Sequence, residues 1–67
     1  MYFTLINKKN NILCYNVDFN SLKDIIYKKF DCEWCKYTDN LLDIIKFIDM
    51  YDYVLICGNY VVDIDNM

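Results

Sequence analysis

The sequence predicts an α+β domain: a small antiparallel sheet of two hairpins, in ββααββ order, packed against two helices. Three observations predict it. Runs of β-branched and aromatic residues stand at both ends of the chain, two apolar stripes at helical spacing fill the middle, and Gly58-Asn59 divides the last run in two.

Tyr2 to Ile6 and Ile12 to Val17 suit strands, and the polar Asn7-Lys8-Lys9-Asn10-Asn11 between them makes an N-terminal hairpin. Ser21-Leu22-Lys23-Asp24 resembles a capping box, with Ser21 as the N-cap. Leu22, Ile25, Ile26 and Phe30 then recur at helical spacing. The stripe extends to Trp34 and Tyr37, so the helix is expected to run as far as about residue 36, with Asp31 its best break point. Thr38-Asp39-Asn40 supplies a second set of starter residues. Leu41, Ile44, Ile45 and Ile48 form one apolar face, and Asp43, Lys46, Asp49 and Met50 fall away from it, which predicts an amphipathic helix from about 39 to 50.

Gly58-Asn59 is a type II′ signature between Tyr53 to Cys57 and Tyr60 to Ile64. The two-residue loop pairs Cys57 with Tyr60, Ile56 with Val61, Leu55 with Val62, Val54 with Asp63 and Tyr53 with Ile64. Alternation puts Tyr53, Leu55, Cys57, Tyr60, Val62 and Ile64 on the core face, and Val54, Ile56 and Val61 on the other.

The 67 residues allow one domain, 1–67, and a chain of this size buries only about 60% of its unfolded surface. A hydrophobic share of 57% excludes a disordered chain. His, Pro, Arg, Ala and Gln do not occur, which removes the commonest general base and the bidentate phosphate clamp. Residues 1–30 carry Lys8, Lys9, Lys23, Lys28 and Lys29 against Asp18 and Asp24, a net +3. Residues 31–67 carry Lys36 and Lys46 against Asp31, Glu33, Asp39, Asp43, Asp49, Asp52, Asp63 and Asp65, a net −6. An acidic chain without arginine is not expected to bind nucleic acid directly. The apolar start is cut short by Asn7 to Asn11, and no run approaches a membrane span of about 20 residues. A cytoplasmic protein with reduced thiols is expected, and the Ile, Asn, Lys and Tyr bias fits an AT-rich bacterium, phage or virus, hence a host cytoplasm.

Cys32-Glu33-Trp34-Cys35 is the only recognisable chemical spacing. A redox motif needs a strand before it and a helix starting at the first cysteine, whereas here a helix is expected to precede it. As a zinc half-site, Cys32 and Cys35 would need Cys14 and Cys57, which stand singly in strands, so no metal or cofactor is expected and packing thiols are the simpler account. Asp63-Ile64-Asp65-Asn66 lacks the rest of a calcium loop, the lone glycine excludes a phosphate loop, and Ser21 has no base to activate it. With little room expected for a pocket of about 300 Å3, no enzyme is anticipated and no catalytic residue is named.

The expected function is a protein–protein interaction module. Val54, Ile56 and Val61 form an apolar centre bordered by Asp49, Tyr51, Asp52, Asp63 and Asp65, with Asp52 set across the ladder from Asp65, where like charges destabilise. Strand carboxylates two apart lie about 6.8 Å from each other, on the order of phosphate spacing along a nucleic acid. Such a rim suits an acidic inhibitor that docks in the basic groove of a nucleic-acid-handling partner. Small phage anti-defence inhibitors, anti-CRISPR proteins among them, offer an analogy of size, acidity and coding bias, without a shared motif. The alternatives are a homodimer paired through the C-terminal hairpin and a zinc-stapled binding module.

Overall fold

The computed structural model of the chain describes residues 1–62, and the strands from both ends of the chain meet in one antiparallel sheet. In chain order the elements are β1 (Phe3–Asn7), β2 (Ile12–Val17), α1 (Phe19–Phe30), α2 (Glu33–Tyr37), α3 (Leu41–Met50), β3 (Tyr53–Cys57) and β4 (Tyr60–Val62). The strands lie in the order β2-β1-β3-β4, so the helical segment carries the chain from one edge, past β1, to its far side. This is the expected α+β arrangement, with a third, short helix added.

Alternation along the strands separates the two faces. On the inner face Phe3 pairs with Cys57, Leu5 with Leu55 and Asn7 with Tyr53. Phe3, Leu5 and Leu55 are buried there with Leu22 and Ile26 of α1, Cys35 of α2, and Ile44, Ile45 and Ile48 of α3. The expected stripe of α3 is therefore its core face, and Asp43, Lys46, Asp49 and Met50 are exposed as expected. β3 and β4 have the expected register, Leu55 with Val62, Ile56 with Val61 and Cys57 with Tyr60. Gly58 takes φ +64°, the left-handed value a type II′ turn demands of its first loop residue. The pairings expected for Asp63 and Ile64 lie outside the described residues. Tyr60 differs from expectation: beside the Gly58-Asn59 turn at the hairpin tip, it is exposed.

The start of α1 is also corrected. The cap is Asp18, whose Oδ1 accepts the Ser21 N–H at 2.8 Å, so Ser21 lies inside the first turn. That hydrogen bond holds the Asp18 carboxyl below its usual range. The helix ends at Asp31, in a left-handed conformation (φ 52°, ψ 43°), and the chain restarts as α2 with Cys32 as its N-cap. The stripe from Leu22 to Tyr37 thus spans two helices, because a left-handed residue cannot continue a right-handed one. α3 begins at Leu41 rather than 39, capped by Asn40, whose Oδ1 accepts the Leu42 N–H at 3.0 Å.

Besides Gly58, the positive-φ residues are Asn10, Asn16, Asp31 and Asp52. Each is Asn or Asp, the residue types that tolerate the left-handed region best after glycine. Asn16 lies in a bulge of β2, where its N–H donates to Thr4 Oγ1 at 3.0 Å and the register slips between Phe3–Val17 and Leu5–Cys14.

Candidate functional site

The outer face of the sheet carries Thr4, Ile6, Val54, Ile56 and Val61, with Thr4 opposite Ile56, Ile6 opposite Val54, and Ile56 opposite Val61. Ile12, opposite Ile6, continues it to the β2 edge and is exposed. None of these apolar side chains packs against the core cluster. Val54 and Ile56 are half-buried by their sheet neighbours, and Val61 is 50% exposed. The helices all contribute to the opposite side, so among the described residues this face has no covering layer.

Of the remaining expected interface residues, Asp49, Tyr51 and Asp52 do not join it. Asp52 adopts φ +63° between α3 and β3, which takes it out of the ladder in which it was expected to oppose Asp65. Its carbonyl accepts the Lys8 N–H at 2.9 Å, and its carboxylate stands 3.6 Å from Lys8 Nζ. Both side chains are exposed, so the pair adds little stability and mainly marks where the β1–β2 turn meets the α3–β3 turn. Tyr51 belongs to an aromatic cluster instead, 4.6 Å from the Phe30 ring and 5.1 Å from Phe47. Asp49 is exposed in the last turn of α3, on the helical layer. Asp63 and Asp65 lie outside the described residues.

The aromatic cluster borders an open depression of about 540 Å3 lined by Trp34, Asp43, Lys46, Phe47 and Met50. A second, of about 380 Å3, lies between the two turns against Asn7, Lys8, Lys9, Tyr51, Asp52 and Tyr53. Little room was expected for a pocket of about 300 Å3; both hollows exceed that volume, but they are open to solvent rather than enclosed. Trp34 was expected on the α1 stripe; on α2 it meets the Phe47 ring edge to face at 5.4 Å.

Cys32 and Cys35 lie together in the α1–α2 corner, with Sγ atoms 3.1 Å apart. Cys35 is fully buried and Cys32 9% exposed. Burial, with the neighbouring Cys32 thiol adding to it, pushes the Cys35 thiol up to about 12. The sequence suggested a helix running into this motif; the left-handed Asp31 instead makes Cys32 the start of a new one. Cys14, whose pKa is raised by burial, and Cys57 stand on the strands. Among the described residues no three Cys, Asp or Glu side chains converge as metal ligands.

Sequence reasoning missed Lys23. It is buried on the inner side of α1, donates from Nζ to the Thr38 carbonyl at 3.0 Å, approaches Asp39 Oδ1 at 3.7 Å and lies 4.8 Å over the Phe19 ring. The signal was present: with Asp18 as cap, Phe19, Leu22, Lys23, Ile26 and Phe30 form one helical stripe, and the lysine occupies an apolar position in it. The lysine stem packs in the layer while its ammonium ties α1 to the loop before α3.

No helix of the described residues is long and apolar enough to cross a membrane. The chain matches no protein-family model, no curated protein and no solved structure.

Proposed function

We propose that the chain is a protein–protein interaction module that docks through the outer face of its sheet. The observation that carries this is the one-sided layering: Ile6, Ile12, Val54 and Ile56 share a face to which, among the described residues, no helix contributes. Contiguous apolar surface of this kind characterises interaction sites. Sedimentation of the parent and of Ile56→Lys, with solvent-paramagnetic relaxation of the Ile6, Val54 and Ile56 methyl groups, tests it. A dimer that Ile56→Lys converts to monomer identifies a second copy as the occupant. A monomer with solvent-open methyls supports docking on a foreign protein. A monomer whose outer-face methyls are shielded ends the proposal, because the chain itself would then close the face.

A second reading, the acidic inhibitor of a basic, nucleic-acid-handling partner, draws on a separate observation. Asp31, Glu33, Asp43 and Asp49 are exposed on the helical layer without ion pairs among the described residues. Asp49 sits in the last turn of α3, where a carboxylate opposes the helix dipole, whereas the last turn of α1 carries the favourable Lys28 and Lys29. Partner association in this case slows with added salt and weakens in Asp43→Asn/Asp49→Asn, while Ile56→Lys leaves it unchanged.

A further inference from the structure

We propose that Cys32 and Cys35 form a reversible modification site, a dithiol that a small-molecule disulfide of the glutathione type oxidises to an intramolecular bond, with Cys32 the entering and Cys35 the resolving thiol. The Sγ atoms are already 3.1 Å apart, and bond formation needs them to close by only about 1 Å, to a sulfur–sulfur length of about 2.05 Å. The approach is built by the backbone. Asp31 reverses the chain with its left-handed conformation, its N–H and that of Cys32 turn back toward the Tyr27 carbonyl, and the Cys35 N–H donates to the Cys32 carbonyl at 3.2 Å. These bonds fix both cysteines in one turn before any oxidant arrives.

Accessibility sets the order of events. Cys32 is 9% exposed between the exposed Asp31 and Glu33, whereas Cys35 is 0% exposed and its thiol is held protonated by burial. The Cys32 sulfur, as thiolate, attacks one sulfur of glutathione disulfide. The glutathione S–S bond breaks, one glutathione leaves and takes up a proton, and a mixed disulfide remains on Cys32. Cys35 then gives up its proton and attacks Cys32 Sγ, the mixed disulfide breaks, and the second glutathione leaves as its thiol. Two electrons pass from the protein to the glutathione disulfide. The neighbouring chemistry does not compete: among the described residues no third ligand joins the pair to hold a metal.

Trp34 lies between the two cysteines in sequence and packs on Phe47 across the 540 Å3 depression, so the only tryptophan reports on the same corner. The full chain is equilibrated in glutathione buffers of graded ratio, acid-quenched, unfolded, alkylated and mapped by mass. The expected result is joint loss of the Cys32 and Cys35 thiols in a single step, with Trp34 emission changing at the same midpoint. At the paired site Cys35→Ser should accumulate glutathione on Cys32, and Cys32→Ser none on Cys35, while the more exposed Cys57 reacts alike in parent and variants and is separated by the peptide mapping. Circular dichroism of each variant separates this from unfolding, which would expose every cysteine to glutathione alike. The proposal is overturned if the pair stays reduced in pure glutathione disulfide, if Cys35 accepts glutathione in folded Cys32→Ser, or if the purified chain carries zinc that protects both thiols.

Discussion

The two faces of the sheet are built by the same strands and have opposite fates. On the inner face Leu5 and Leu55 oppose each other and are almost fully buried, because α1 and α3 bring Leu22, Ile26, Ile44 and Ile48 against them. One residue along, Ile6 opposes Val54 and Thr4 opposes Ile56, and among the described residues only sheet neighbours shelter them. Hydrophobicity does not distinguish the faces; coverage does. Apolar side chains on the inner face stabilise the fold, and those on the outer face, which are less buried, contribute less to it.

The largest expected effect sharpens this contrast. Leu55→Ala should cost about 2–5 kcal/mol through lost burial and a cavity, as much as a core of this size commonly supplies, so the variant should be largely unfolded at room temperature. Ile56→Ala, its neighbour on the other face, should cost about 1 kcal/mol, for the Thr4 and Val61 pairings. Urea titrations of both compare them directly; equal losses would show that the outer face is covered too. A middle-sized effect is expected from Lys23→Met, which keeps a long side chain under the inner layer but removes the donor to Thr38. About 1–2 kcal/mol should be lost, seen as a lower melting temperature, with outer-face association unchanged. The smallest is Gly58→Ala. Space around the added methyl is open, so only the φ +64° backbone resists it, at about 1 kcal/mol. Since β3 and β4 carry both faces, stability and outer-face association should fall together in that variant, whereas Lys23→Met separates them.

Much of the fold was legible because its signals are local. Gly58-Asn59 specifies the β3–β4 register, since a two-residue loop leaves one way to pair Cys57 with Tyr60 and everything behind them. The α3 stripe is legible for the same reason: Leu41, Ile44, Ile45 and Ile48 need only helical spacing to share a face. Of the interface residues, Val54, Ile56 and Val61 were found by alternation and do share the outer face. The same alternation carried back beyond Val54 predicts Asp52 on that face, but β3 begins only at Tyr53, after a left-handed turn that an aspartate adopts without any glycine to announce it. Ser21 carries capping chemistry, but Asp18 three residues earlier accepts the Ser21 N–H and caps α1 in its place.

What the sequence determined alone, then, is everything set within a few residues: the strands, the C-terminal register, the apolar faces of the helices and the small size that leaves a sheet with one layer of cover. The tertiary structure decided what depends on distant partners. It placed β1 beside β3, so that Phe3, Leu5 and Leu55 meet across about fifty residues of chain. It buried Lys23 against a carbonyl fifteen residues away, and set Asp52 against Lys8 rather than on the sheet. It also turned Cys32-Glu33-Trp34-Cys35 from a spacing into a contact, as the left-handed Asp31 at the end of α1 reverses the chain and the two sulfurs come to 3.1 Å. Such arrangements follow from which surfaces exclude water together, and periodicity along one segment carries no information about the segment that will cover it.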